Sequence, residues 1–313
     1  MTRPAVLVHN AALLPRLAAA DLPDCRIVPP EAIADGVSDD LAASVEVLVS
    51  AGEPLPNSLV DALPRLKLVA CFATGYAGID LAHLRARGIR LTTAAGVNAH
   101  DVADHAVALL LGLQHGVIAA DRAVREGRWR DGVTPRPSLR RQRVGIVGLG
   151  RIGLATAVRL SAHEMDVRWW GPREKPDAPF ARSDSLATLA HWSQVLILTG
   201  RADARNTVQI NAEILHLLGP AGFLVNVSRG TLVDEDVLIA ALTAGTIAGA
   251  ALDVFCEEPV RSAAWSSVPN VVLSPHLGGY TQEAGREMGW QLHENVRRYL
   301  CGEPLLTPTD DVC

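Results

Sequence analysis

The stretch Val144-Gly145-Ile146-Val147-Gly148-Leu149-Gly150-Arg151-Ile152-Gly153 decides the fold. A short apolar strand, 144–147, runs into a glycine turn that opens a helix over 151–163. That context gives the Gly-x-Gly-x-x-Gly spacing its meaning. Gly148 permits the tight turn, Gly150 lets the backbone approach a pyrophosphate, and Gly153 lets the helix pack close to the sheet. The unpaired N–H groups of the first helical turn, at Arg151 and Ile152, then face phosphate oxygens. A ligand-free structural turn is the bland alternative, and what surrounds the stretch outweighs it.

Downstream, strands are expected at 144–147, 167–170, 195–198, 223–227, 248–254 and 271–273, with helices between them, notably 151–163 and 234–244. Six strands in such a series are what a complete dinucleotide-binding domain needs. Upstream, runs at 6–8, 45–49, 68–71 and 89–91 read as buried strands, with helical patches near 59–63 and 81–87. Strands alternating with helices imply parallel sheets covered on both faces. A long helix precedes the glycine stretch; Asn98 three residues before Asp101 resembles a capping box there. A final helix, about 281–300, is long enough to run back onto the first domain. The expected architecture is α/β with two Rossmann-like domains. Residues 1–98 plus 284–313 form a substrate-binding domain and 99–283 the dinucleotide-binding domain.

The chain has 313 residues, too many for one ordinary core. Its formal charge of −5 argues against a nucleic-acid surface. Arg136, Arg140, Arg141 and Arg143 gather in what reads as a solvated loop. Five cysteines, Cys25, Cys71, Cys256, Cys301 and Cys313, lack CxxC spacing and suit a reducing compartment. The start shows no apolar run of signal-peptide length and no stretch reaches membrane-spanning length, so a cytoplasmic protein without membrane partners is expected.

Cofactor choice turns on the end of the second strand of the glycine domain. An acid there would hold the adenosine ribose hydroxyls and repel a 2′-phosphate. The chain reads Trp169-Trp170-Gly171-Pro172-Arg173-Glu174-Lys175, with Gly171 in the acid's place and Arg173 and Lys175 beyond it. Cations without the carboxylate favour NADP(H). Glu174 could pair with either cation or take the acid's role, which leaves NAD(H) open.

Three phrases follow successive strands: Asn226-Val227-Ser228-Arg229-Gly230, then Leu252-Asp253-Val254-Phe255 with Glu258-Pro259, then Ser274-Pro275-His276-Leu277-Gly278-Gly279. Singly, Arg229, Glu258 and His276 have bland readings as surface or loop residues. Jointly they fall beyond the carboxyl ends of one sheet, where ligands bind. A 2-oxo acid needs its carboxylate anchored, and a guanidinium does so with two parallel hydrogen bonds. Its carbonyl oxygen gains negative charge during reduction and needs a proton donor, which an imidazole supplies near neutrality. A carboxylate on the other ring nitrogen fixes the tautomer. Arg229, His276 and Glu258 fill these roles in turn.

With these phrases and Thr74-Gly75-Tyr76-Ala77-Gly78-Ile79-Asp80 and Asp104-His105-Ala106, nearly the whole chain resembles the D-isomer-specific 2-hydroxyacid dehydrogenase family. Lacking the acid at Gly171, it is most similar to the glyoxylate/hydroxypyruvate and hydroxyphenylpyruvate reductase branch. The resemblance implies two domains with a cleft between them and a homodimer formed through the cofactor domain. It implies Arg229 and His276 on substrate, with the backbone amides of Thr74 and Gly75. It further implies Asp253 on the nicotinamide carboxamide, and Val227, Ser228 and Gly278 along the cofactor. The expected activity is reduction of a small 2-oxo acid to the D-2-hydroxy acid. Alternatives are an NAD-dependent dehydrogenase running oxidatively, or a dinucleotide-sensing, co-repressor-like binding protein. Two departures stand out. Arg201-Ala202-Asp203 replaces a Pro-Leu-Thr phrase common in the family, and Asp104 stands where Glu is usual.

His100, Asp101, Asp104 and His105 could be imagined around a metal, but a cap and a core histidine are the better reading, and no metal is expected. Cys256 lacks a base of its own and reads as inert. Trp265 and Trp290 could line a pocket, but core packing is the default for both.

Overall fold

The computed structural model describes residues 3–17, 22–130, 135–202, 206–260 and 262–309. Asp203 and Cys313 therefore lie outside the described residues. The chain divides into two compact α/β units, Met1–Val97 with Thr281–Cys313, and Asn98–Tyr280. The chain changes unit at 97/98 and 280/281, against the expected 98/99 and 283/284.

The first unit holds five parallel strands: β1 (Ala5–Val8), β2 (Arg26–Val28), β3 (Val45–Ser50), β4 (Leu68–Cys71) and β5 (Arg90–Thr92). Their order is β2-β1-β3-β4-β5. β1 and β4 are buried at every position, as parallel strands covered on both faces must be. One face carries Leu48, Val69, Leu84 and Leu91. The other packs Val6, Val8, Val47 and Leu68 against Leu292 and Val296 of the Gln282–Leu300 helix, so the C-terminal helix completes this core. β2 is a strand that sequence reading passes over. It is three residues long at the sheet edge, too short to show a period.

The second unit holds β6 (Arg143–Val147), β7 (Asp166–Trp170), β8 (Ala181–Arg182), β9 (Val195–Leu198), β10 (Phe223–Asn226), β11 (Gly249–Leu252) and β12 (Val271–Leu273). They form one parallel sheet in the order β12-β11-β10-β9-β6-β7-β8. The seventh strand, β8, is a two-residue edge beside Arg168 and Trp169. The run expected at 248–254 pairs only over Gly249–Leu252, because Asp253 and Val254 leave the ladder for the site loop. On one face, Val102, Ala106, Leu110 and Leu113 of the Ala99–His115 helix, with Leu160 of the Arg151–Ala162 helix, pack on Val144, Ile146, Ile197 and Val225. The opposite face packs Leu189, Leu215 and Leu238 on Leu196, Leu198 and Leu224. The connections reverse direction between β6 and β9, which makes that pair the topological switch point.

Two expectations are corrected. Asn98 is the N-cap of the Ala99–His115 helix, but no side-chain cap bond forms. Its carboxamide lies against Gly279, where a Cβ would come within 2.1 Å of Nδ2. Trp265 is buried edge-to-face on Phe255, whereas Trp290 is exposed on the Gln282–Leu300 helix rather than in a core. The arginine loop is solvated as expected, with Arg136, Arg140, Arg141 and Arg143 all exposed, and three of them are anchored at its edges. Arg136 donates to Gln114 O, Arg140 pairs with Glu164, and Arg143 donates to Trp192 O. No single helix among the described residues is long and apolar enough to cross a membrane.

Candidate active site

The glycine turn sits at the β6/β9 switch point, and each glycine is there for a separate reason. Gly148 has φ +94°, and a Cβ on it would lie 2.4 Å from Gly200 Cα in the loop after β9. A Cβ on Gly153 would lie 2.1 Å from Gly148 O and 2.7 Å from Thr199 Oγ1. Gly150 faces open space, with nothing within 4 Å of the position a Cβ would take. The Arg151–Ala162 helix begins directly after Gly150 without a side-chain cap, so its first N–H groups remain for an anion. Thr199, which sequence reading missed, braces the turn by donating from Oγ1 to Gly148 O at 2.7 Å. Open space at Gly150 beside free amide donors fits a dinucleotide pyrophosphate.

Beyond β7 the charges are arranged differently from the simplest expectation. Lys175 Nζ donates to Leu149 O at 2.5 Å, tying this segment to the glycine turn. Glu174 lies 4.0 Å from Arg182 and pairs with neither Arg173 nor Lys175. Arg182 also donates to Gly171 O at 3.0 Å. Arg173 is exposed, with no ion pair among the described residues. Arg182 escapes sequence reading because it arrives on β8.

Arg229 is set by the end of β10. Asn226 spans the turn: its Oδ1 accepts from Ser228 N and its Nδ2 donates to Arg229 O, both at 3.0 Å. This is the local side-chain-to-backbone chemistry that makes Asn a turn residue. Ser228 Oγ donates to Gly200 O, and Val227 is buried beside it. Gly230 follows, and a Cβ on it would lie 1.9 Å from Phe255 C, so the Arg229 turn rests directly on the loop that carries Glu258. Burial pulls the Arg229 guanidinium below its ordinary pKa, and the negative charge of Glu258 opposes that pull.

His276 and Glu258 meet. His276 Nδ1 lies 2.7 Å from Glu258 Oε2, and Glu258 Oε1 accepts from Phe255 N at 3.0 Å. His276 adopts φ +56°, a left-handed conformation uncommon for residues other than glycine. Asp253 holds it there. Its carboxylate, nearly fully buried, accepts from Leu277 N and Gly278 N at 2.8 Å each, while His276 N donates to Asp253 O at 2.8 Å. His105 Nε2 lies 3.1 Å from Asp253 Oδ1 and 3.0 Å from Ser274 Oγ. Asp253 therefore clamps the whole His276 loop, a role its sequence position does not show.

His105 thus braces Asp253 and Ser274 within the site. Asp104 pairs with both nitrogens of Arg159, at 2.6 and 3.0 Å. Among the described residues no cluster of three or more metal-ligating side chains occurs. Cys256 carries a thiol pushed up to about 11, chiefly by burial and then by Glu235. Cys25, Cys71, Cys256 and Cys301 are all free thiols. In the first unit, Thr74 and Gly75 lie in the turn after β4.

Such a sheet edge, with an anion cradle at the switch point and an imidazole–carboxylate pair beyond β12 and β11, defines a doubly wound, nicotinamide-dependent oxidoreductase. The chain belongs to the D-isomer-specific 2-hydroxyacid dehydrogenase family. The family model described as D-isomer specific 2-hydroxyacid dehydrogenase, NAD binding domain, matches residues 107–278. The hydroxyphenylpyruvate reductase of Plectranthus scutellarioides is 38% identical over 253 residues, 80% of each chain. The 2-ketogluconate reductase of Gluconobacter oxydans is 37% identical over 84% of this chain and 85% of its own. A Sinorhizobium meliloti NADPH-dependent glyoxylate/hydroxypyruvate reductase, crystallised with NADP and malonate, superposes with a TM-score of 0.90. It is 36% identical, and the match covers 99% of this chain and 98% of that one.

Proposed function

We propose that this enzyme reduces a small 2-oxo acid to the D-2-hydroxy acid, with NADPH as its preferred reductant. The observation that carries the reading is the 2.7 Å contact between His276 Nδ1 and Glu258, on the same sheet edge as the glycine cradle and Arg229. The cradle at Gly148–Gly153 would hold the cofactor pyrophosphate, with Val227, Ser228 and Gly278 along its length. When bound, the reduced nicotinamide supplies a hydride to the substrate's carbonyl carbon.

The chain's own residues do the rest. Arg229 binds the substrate carboxylate through its planar fork, and partial desolvation strengthens that attraction. Glu258 accepts a hydrogen bond from His276 Nδ1–H and fixes the ring so that Nε2 faces the reacting oxygen. Nε2 then donates its proton as negative charge develops there. Asp253 keeps Leu277 and Gly278 in place so that the ring cannot drift. NADPH is favoured because Gly171 offers no carboxylate to repel a 2′-phosphate and Arg173 is exposed beside it. A cytoplasmic homodimer completes the proposal, supported by the free thiols and the family resemblance.

The test mixes purified protein with NADPH or NADH and glyoxylate, hydroxypyruvate, phenylpyruvate or pyruvate, following nicotinamide absorbance and product chirality. NADPH oxidation with a D product is expected. A strong NADH preference overturns the cofactor assignment, and silence across the panel overturns the reaction in favour of a dinucleotide-sensing scaffold.

A further inference from the structure

An arginine outside the catalytic set sits at the free edge of the second unit's sheet. Arg182 lies opposite Trp169 in the β7–β8 pairing. The strand is held there without its side chain: Ser183 N donates to Trp169 O at 2.8 Å, and Trp169 Nε1 donates to Phe180 O at 3.0 Å. The Arg182 guanidinium goes instead to the end of β7. Its Nη2 donates to Gly171 O at 3.0 Å, and its Cζ stands 5.7 Å from the centre of the Trp169 ring. Nη1 lies 4.0 Å from Glu174 Oε1, beyond hydrogen-bond reach, and the Glu174 side chain is 83% exposed, so it does not hold the guanidinium. Gly171 O is thus the one hydrogen-bond acceptor Arg182 has among the described residues, which leaves most of its N–H donors unused.

The end of β7 is itself fastened to the glycine turn. Gly148 N donates to Trp170 O at 2.8 Å, and Lys175 Nζ donates to Leu149 O at 2.5 Å. Gly171 is buried between these ties, yet neither backbone nor crowding requires a glycine there. Its φ lies outside the left-handed region. A Cβ would meet only ordinary contacts, 3.5 Å from Trp169 Cζ3 and 3.9 Å from Gly148 Cα. A bare position with one cation bonded to its carbonyl and another bonded to the adjoining turn suits a phosphate monoester. It does not suit an unmodified ribose diol, which calls for a carboxylate acceptor.

We propose that Arg182 is a cofactor-specificity residue whose guanidinium, anchored on Gly171 O, binds the 2′-phosphate of NADP(H), with Lys175 as a second cation. This rests on the reading that NADPH is the preferred reductant. A purely structural Arg182, there only to tie β8 to Gly171, would affect both nucleotides alike.

The experiment titrates purified wild type, Arg182→Gln and Arg182→Lys with NADPH and NADH, without substrate, following nicotinamide fluorescence. Wild type is expected to bind NADPH more tightly. A glutamine keeps an N–H donor for Gly171 O but carries no charge, so Arg182→Gln should weaken NADPH about tenfold while NADH changes less than about twofold. Arg182→Lys keeps the charge without the planar fork, and its NADPH affinity should fall between the other two. It also serves if Arg182→Gln does not fold. An unchanged ratio of the two affinities, equal losses on both nucleotides, or failure of both variants to fold overturns the proposal. A wild type that binds NADH as tightly as NADPH is a different result: it refutes the NADPH reading, and this inference falls with it.

Discussion

Replacing Asp253 by Asn should disable the enzyme without touching any group that handles the proton. The Asp253 carboxylate accepts two amide hydrogens, from Leu277 and Gly278, and contacts His105. An asparagine keeps one acceptor oxygen and puts an NH2 where the other stood. Whichever way it turns, that NH2 faces a backbone N–H, donor against donor. An amide donor left without an acceptor costs about 1–3 kcal/mol, and a hydrogen bond to a charged group contributes about 1.5–3 kcal/mol. The two figures describe overlapping losses, so about 2–3 kcal/mol is the working value. Because His276 is held at positive φ by this loop, the cost falls on the competent position of the ring. At 1.4 kcal/mol per decade, kcat/KM should drop by about 30- to 150-fold. Circular dichroism should show an intact fold, and the assay is nicotinamide oxidation with the best substrate of the panel. A folded variant within about threefold of wild type would refute the clamp.

Arg229→Lys keeps the charge but loses the two-pronged geometry, so KM for the 2-oxo acid should rise by about tenfold or more while NADPH binding, followed by nicotinamide fluorescence, stays unchanged. Gly153→Ala drives a Cβ into Gly148 O at 2.1 Å, so the turn must shift. NADPH affinity should fall at least about tenfold by the same titration, in keeping with the close approach this position needs. Arg173→Ala should weaken NADPH about fivefold or more with little change for NADH, since only the phosphorylated ribose loses a partner.

The parts of the site that could be read in the sequence are those whose meaning is local. The glycine turn follows its strand directly, and three-dimensional crowding only adds reasons for each glycine. Arg229, Glu258 and His276 could be found because strand ends converge on one edge of a parallel sheet. What stayed hidden depends on partners far apart in the chain. His105 reaches Asp253 and Ser274 across 148 and 169 residues. Arg182 reaches Gly171 O, with Glu174 4.0 Å away, from a two-residue edge strand with no periodic signal. The capping-box reading of Asn98 failed because its side chain is taken up beside Gly279. Asn226 could have been noticed, since an Asn ending an apolar run is a turn signal.

The account stands or falls on His276 as the proton donor. Single-turnover oxidation of enzyme-bound NADPH by a saturating 2-oxo acid, compared between wild type and His276→Ala, separates chemistry from binding. Unaltered NADPH affinity with turnover slowed by about 10²–10⁴-fold is predicted; a rate within a few-fold of wild type would contradict it.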